Sequence, residues 1–124
     1  MKDIQNREDL HLVMRNFYVR LLNDPEIEFF FTQVVKIDLE PHLIELVHFW
    51  EQIIFNTGEY KKNVLQIHLD INSKLNFTPS HFAIWLNYFN LSIDENFSGQ
   101  NAENMKTRAL SIATVMQMKM AKKE

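Results

Sequence analysis

Apolar residues return at a helical period along most of the chain. Leu10, Val13, Met14, Phe17 and Leu21 fall at i, i+3, i+4, i+7 and i+11, which predicts an amphipathic helix with Tyr18 beside its stripe. Asn23-Asp24-Pro25 ends it, because proline disfavours helical geometry in the residue before it. Pro25 can then open a short segment ending in Phe29-Phe30-Phe31. Three consecutive phenylalanines cannot share one helical face, so one is left wet unless a ligand or partner covers it. A second helix starts near Asp38, a good N-cap, with Glu40 and Pro41 in its first turn. Its core stripe is Leu39, Leu43, Leu46, Trp50, Ile53 and Ile54, flanked by His42, Leu46, Phe49 and Ile53, and Thr57-Gly58 stops it. Thr78-Pro79 caps a third long helix, with Phe82, Trp85, Leu86, Phe89 and Ile93 on one side. Residues 94–100 interrupt it, and a last helix carries Ala102, Met105, Ala109, Ile112, Ala113 and Met116 before fraying from Lys119. Between the second and third helices lies a short apolar helical segment, Val64-Leu65-Gln66-Ile67-His68-Leu69-Asp70-Ile71, followed by a polar loop over residues 72–76. Four amphipathic helices and two short segments, without internal repeats, predict one all-α domain over residues 1–124.

Composition narrows the chemistry. Cysteine is absent, which excludes disulfides, a thiolate nucleophile, an iron–sulfur cluster and covalent haem attachment through Cys-x-x-Cys-His. Gly58 and Gly99 are the only glycines, too few for a phosphate-cradling loop. The formal charge of −3 gives no electrostatic case for nucleic acid or an anionic membrane as partner. No apolar run approaches the ~20 residues that span a bilayer. The opening Met-Lys-Asp-Ile-Gln-Asn-Arg lacks a signal-peptide core, so a cytoplasmic location is expected.

Three constellations are candidates for chemistry. Glu8-x-x-His11 and Glu45-x-x-His48 have the spacing that builds di-iron carboxylate sites in four-helix bundles. Both lie off the apolar stripes, and the stripes of the last two helices contain no carboxylate, so a solvated face accounts for them better. His68, embedded among apolar residues, is kept neutral by burial, and neutral imidazole is the commonest side-chain metal ligand. Taken alone, such a histidine is more often packed core, and His42 at a stripe's rim more often a half-buried surface residue. Tyr18, Trp50 and Trp85 bring polar tips into the core, where each needs a hydrogen-bonding partner.

The joint spacing of Phe17-Tyr18, Phe30-Phe31, His42, His48-Phe49-Trp50, His68-Leu69-Asp70 and His81-Phe82-Ala83-Ile84-Trp85-Leu86 resembles the third group of truncated haemoglobins, over roughly residues 10–118. The lack of a Gly-Gly pair agrees, since the other truncated groups use such pairs in their shortened connections. The resemblance implies a globin-like 2-on-2 helical sandwich holding haem b. By it, His68 is the proximal iron ligand, Tyr18 and Trp85 are distal donors, and His42 is a gate. Leu46 lies over the iron, while Phe31 and Phe49 line the macrocycle. It further implies dioxygen, nitric oxide or another small diatomic as ligand, with electrons from an unidentified reductase. Nitric oxide dioxygenase and peroxidase-like chemistry are the candidate activities. Glu8, His11, Glu45 and His48 carry over to nothing. The loop over residues 72–77 is longer than the family pattern, which leaves the propionate edge, near Lys74 and His81, unassigned. The rival reading is a haem-free helical interaction domain in which the aromatics are only core.

Overall fold

The computed structural model describes residues 1–29, 39–55 and 78–121. Helix α1 spans Arg7–Leu22 and α2 spans Pro25–Phe29. Helix α3 spans Leu39–Phe55, α4 spans Pro79–Asp94 and α5 spans Gln100–Ala121. Asp38, Thr57, Gly58 and the His68 segment lie outside the described residues.

Local chemistry sets the helix ends. The Asn6 side chain accepts from the Asp9 amide at 2.9 Å, and Glu8 and Asp9 complement the dipole of the first turn. At the expected break, Asp24 Oδ1 accepts from the Glu26 amide at 2.9 Å, and Pro25 opens α2. Thr78 caps α4 as its sequence predicts, but His81 rather than Glu or Gln completes the capping box: its Nδ1 accepts from the Thr78 amide at 3.0 Å. His81 is therefore engaged in starting α4.

Helix α1 packs against both α3 and α4, α4 packs against α5, and α3 touches α5. The result is two helices on two. Leu10, Val13, Met14, Phe17 and Leu21 of α1 are buried as their spacing predicts. They meet Leu43, Leu46, Val47 and Trp50 of α3, with Phe89 and Ile93 of α4. Each such side chain contributes about 1.5–3 kcal/mol when fully withdrawn from water. Arg7–Glu51 and Arg15–Glu40 ion pairs, at 2.8 and 3.0 Å, bridge α1 and α3. Low numbers facing high ones show that the two helices run antiparallel.

The N-terminal segment is a clip that no periodicity announces. Asp3 Oδ1 accepts from the Ala102 amide at 3.0 Å and Oδ2 from the Asn101 amide at 2.9 Å, which caps α5 from 98 residues away. Asn101 Nδ2 returns a bond to the Ile4 carbonyl at 2.8 Å, and the Ser98 amide donates to the Lys2 carbonyl at 3.0 Å. Ile4 is fully buried between these ties. Gly99, at φ +146°, lets the clip close; a Cβ there would lie 2.5 Å from Asp3 Cγ.

Candidate functional site

Tyr18, one turn from the end of α1, points its hydroxyl into the seam with α3. There it meets His42, in the first turn of that helix, with Tyr18 Oη 2.6 Å from His42 Nε2. Which of the two donates follows the imidazole tautomer: with the proton on Nδ1, Nε2 accepts from the phenol, the arrangement that leaves the more acidic O–H as donor. Electrostatics agree. Burial lowers the pKa of His42 below its ordinary value, against the opposing pull of Glu45, so the ring favours its neutral form. Burial also pushes the Tyr18 hydroxyl well above the ordinary phenol range and keeps its proton in place. The two rings meet edge to face, 5.2 Å between centroids.

Behind this pair lies a cavity of about 20 Å³, where the four long helices converge. Met14, Phe17 and Tyr18 line it from α1, and Leu46, Phe49 and Trp50 from α3. Trp85 and Phe89 of α4 and Ile112 of α5 complete the wall. About 10–15 Å³ suffices for a water, so the space suits one molecule of two or three atoms, and an apolar lining keeps it dry. An aromatic network stiffens the wall. Phe17 sets its edge against Tyr18, Trp85 and Phe89, at centroid distances of 5.3, 5.5 and 5.2 Å. Trp85 stacks on Phe89 at 19° between planes, and Phe89 meets Trp50 at 5.3 Å.

Of the residues implicated by sequence, Tyr18, Leu46, Phe49 and Trp85 line this one cavity, and His42 is bonded to the first of them. Trp85 is only half-buried, less enclosed than Tyr18 or Trp50. His68, Phe31 and Lys74 lie outside the described residues. Glu8 and His48 are exposed, and among the described residues no group of three or more His, Asp or Glu side chains could hold a metal ion. The Glu-x-x-His pairs are thus not gathered into a site. Met14, Phe89 and Ile112 had read only as stripe residues, and Phe17 and Trp50 had been given no place in the cavity wall. Their signal was hydrophobic period, which marks a core and says nothing of a gap within it.

Two helix pairs packed face to face give this chain the fold of a truncated globin. Among solved structures it is similar to the group III truncated hemoglobin from Campylobacter jejuni, with a TM-score of 0.78 and 26% identity. That match covers 94% of this chain and 93% of the other. No family model matches the chain, and no curated protein sequence does. No helix among the described residues is long and apolar enough to cross a membrane.

Proposed function

We propose that the chain is a haem b protein that binds dioxygen, nitric oxide or a similar small molecule, with His68 as the proximal iron ligand. The observation that carries this reading is the buried Tyr18–His42 bond beside a cavity of diatomic size, in a globin fold. The chemistry of the described lining suits the group: Leu46 and Phe49 offer apolar surface, and Tyr18 and Trp85 are side chains with a polar hydrogen. When bound, haem would supply an iron that takes a diatomic gas and shifts electron density to its outer atom.

Tyr18 and Trp85 are the donors for that charge. Tyr18 has one proton, so its hydroxyl donates either to His42 or to a ligand. His42 is therefore the partner in the resting state, and ligand arrival turns the phenol inward. A released His42 can swing aside to admit a ligand or accept a proton. Hydrogen bonds to charged groups are worth about 1.5–3 kcal/mol, and two such donors slow ligand release strongly. Slow release suits conversion better than carriage, so oxygen, nitric oxide or peroxide chemistry is the proposed role, with a reductase as electron source and the cytoplasm as its place. Phe31 is assigned to the macrocycle face.

The test is the absorption spectrum of the purified protein, ferrous, with and without oxygen. An intense near-ultraviolet haem band that shifts on oxygenation is expected, and stoichiometric haem should be lost in His68→Ala. A protein without that band would leave the haem-free interaction domain as the better reading.

A further inference from the structure

Tyr18 combines three properties that matter beyond ligand binding. Its side chain is 3% exposed, its hydroxyl lies 2.6 Å from His42 Nε2, and its ring abuts the Phe17–Trp85–Phe89 network. A phenol in apolar surroundings gives up an electron readily only if its proton leaves with it, because an uncompensated positive charge there has no solvent. A neutral imidazole already in hydrogen-bond contact is a base in the required position. The Glu45 carboxylate, one turn along α3, favours the imidazolium that the transfer would create.

We propose that Tyr18 and His42 form a proton-coupled redox pair. A one-electron oxidant takes an electron from the Tyr18 ring while the Oη proton crosses to His42 Nε2. The O–H bond breaks and an N–H bond forms. The oxidant is reduced by one electron, and a neutral phenoxyl radical stands beside an imidazolium. Returning the electron sends the proton back. The oxidant is a high-potential one-electron acceptor, of the kind a peroxide generates at haem, and only this source of the oxidant rests on the haem reading. The pair itself stands on the geometry of the two side chains. It would give an oxidising equivalent a defined, reversible resting place in the aromatic core.

The experiment uses the full chain carrying Tyr60→Phe and Tyr88→Phe, so that Tyr18 is the remaining tyrosine of three. Photogenerated tris(bipyridine)ruthenium(III) is the oxidant, and freeze-quenched electron paramagnetic resonance is the readout. A phenoxyl signal is expected that narrows with ring-deuterated tyrosine and disappears when Tyr18→Phe is added. Its formation should be slower in deuterated water. It should also slow by roughly 10²-fold in His42→Gln, where the side chain still accepts a hydrogen bond but is no base. A signal on tryptophan alone would overturn the proposal. So would equal rates in His42→Gln, or a parent rate indifferent to deuterated water. Because this oxidant is added from outside, the absorption spectrum decides the haem reading separately.

Discussion

Two of the hydrogen-bonded ties between distant stretches of this chain are built to opposite ends. The N-terminal clip is over-determined: Asp3 accepts two amides of α5, Asn101 bonds back to Ile4, and Ser98 to Lys2, around a fully buried isoleucine. The seam between α1 and α3 closes over the cavity with one Tyr18–His42 bond, whose proton has a second use in the proposed ligand binding. Losing one strand of the clip leaves the others, whereas turning one phenol opens the bond to His42. The first tie can only hold; the second is the one proposed to switch.

The sharpest way to break that contrast is at Gly99. In Gly99→Ala the new Cβ meets Asp3 Cγ at 2.5 Å, at a φ of +146° that side chains avoid, so the clip must open. Backbone strain of about 1–3 kcal/mol adds to a lost helix cap of about 1 kcal/mol, and a destabilisation of roughly 2–4 kcal/mol is expected in urea unfolding. An unchanged midpoint would mean that the clip carries little. Asp3→Ala should cost less, about 1–2 kcal/mol, with Asp3→Asn recovering most of it as a competent cap. Although burial pushes the Asp3 carboxyl upward, the amides of Asn101, Ala102, Ile4 and Gln100 outweigh it and hold its pKa below the usual range. The clip is thus at full strength above the unfolded carboxylate pKa, about 3.9, and weakens as pH falls through the lower folded value.

Tyr18→Phe sharpens the contrast from the other side. Stability should fall by only about 0.5–1.5 kcal/mol, the net worth of an ordinary hydrogen bond, since partly exposed His42 can turn to water. The oxygen dissociation rate, measured by stopped flow, should nevertheless rise about tenfold or more, because a charge-assisted bond of 1.5–3 kcal/mol has gone and roughly 1.4 kcal/mol is a factor of ten. An unchanged rate would remove Tyr18 from the donor set.

The two ties also differ in how far the sequence foretold them. Stripes and breaks were legible because they are local: the α1 apolar period, Asp24-Pro25 before α2 and Thr78-Pro79 before α4 each act within a few residues. Six residues before α1 contain no period to read, so neither the burial of Ile4 nor the capping of α5 by Asp3 was visible. The resemblance named Tyr18 and His42 but did not pair them. Their bond spans 24 positions and depends on how α1 and α3 rotate against each other. The cavity was equally hidden, because it lies where nine well-chosen core residues fail to meet. Volume left unfilled is a property of packing, not of period.

Acid is the mildest way to work the switch. Among the described residues, the groups that act on the His42 imidazole are the Tyr18 phenol from α1 and Glu45 on its own helix, with the Arg15–Glu40 ion pair on the adjoining turns. Burial lowers the pKa of His42, so the unfolded chain binds this proton at a higher pH than the folded chain does. Stability at this position is therefore complete above the unfolded value of about 6.5 and declines as pH drops toward the folded one. Protonation also removes the acceptor lone pair at Nε2, so the phenol loses its resting partner in the same range. Stability measured between pH 5 and 8 should slope upward for the parent and flatten in His42→Gln, while Asp3→Asn keeps the parent's slope there. Parallel curves for the parent and His42→Gln would mean that the imidazole gains its proton without disturbing the seam, and that Tyr18 is held by something other than this bond.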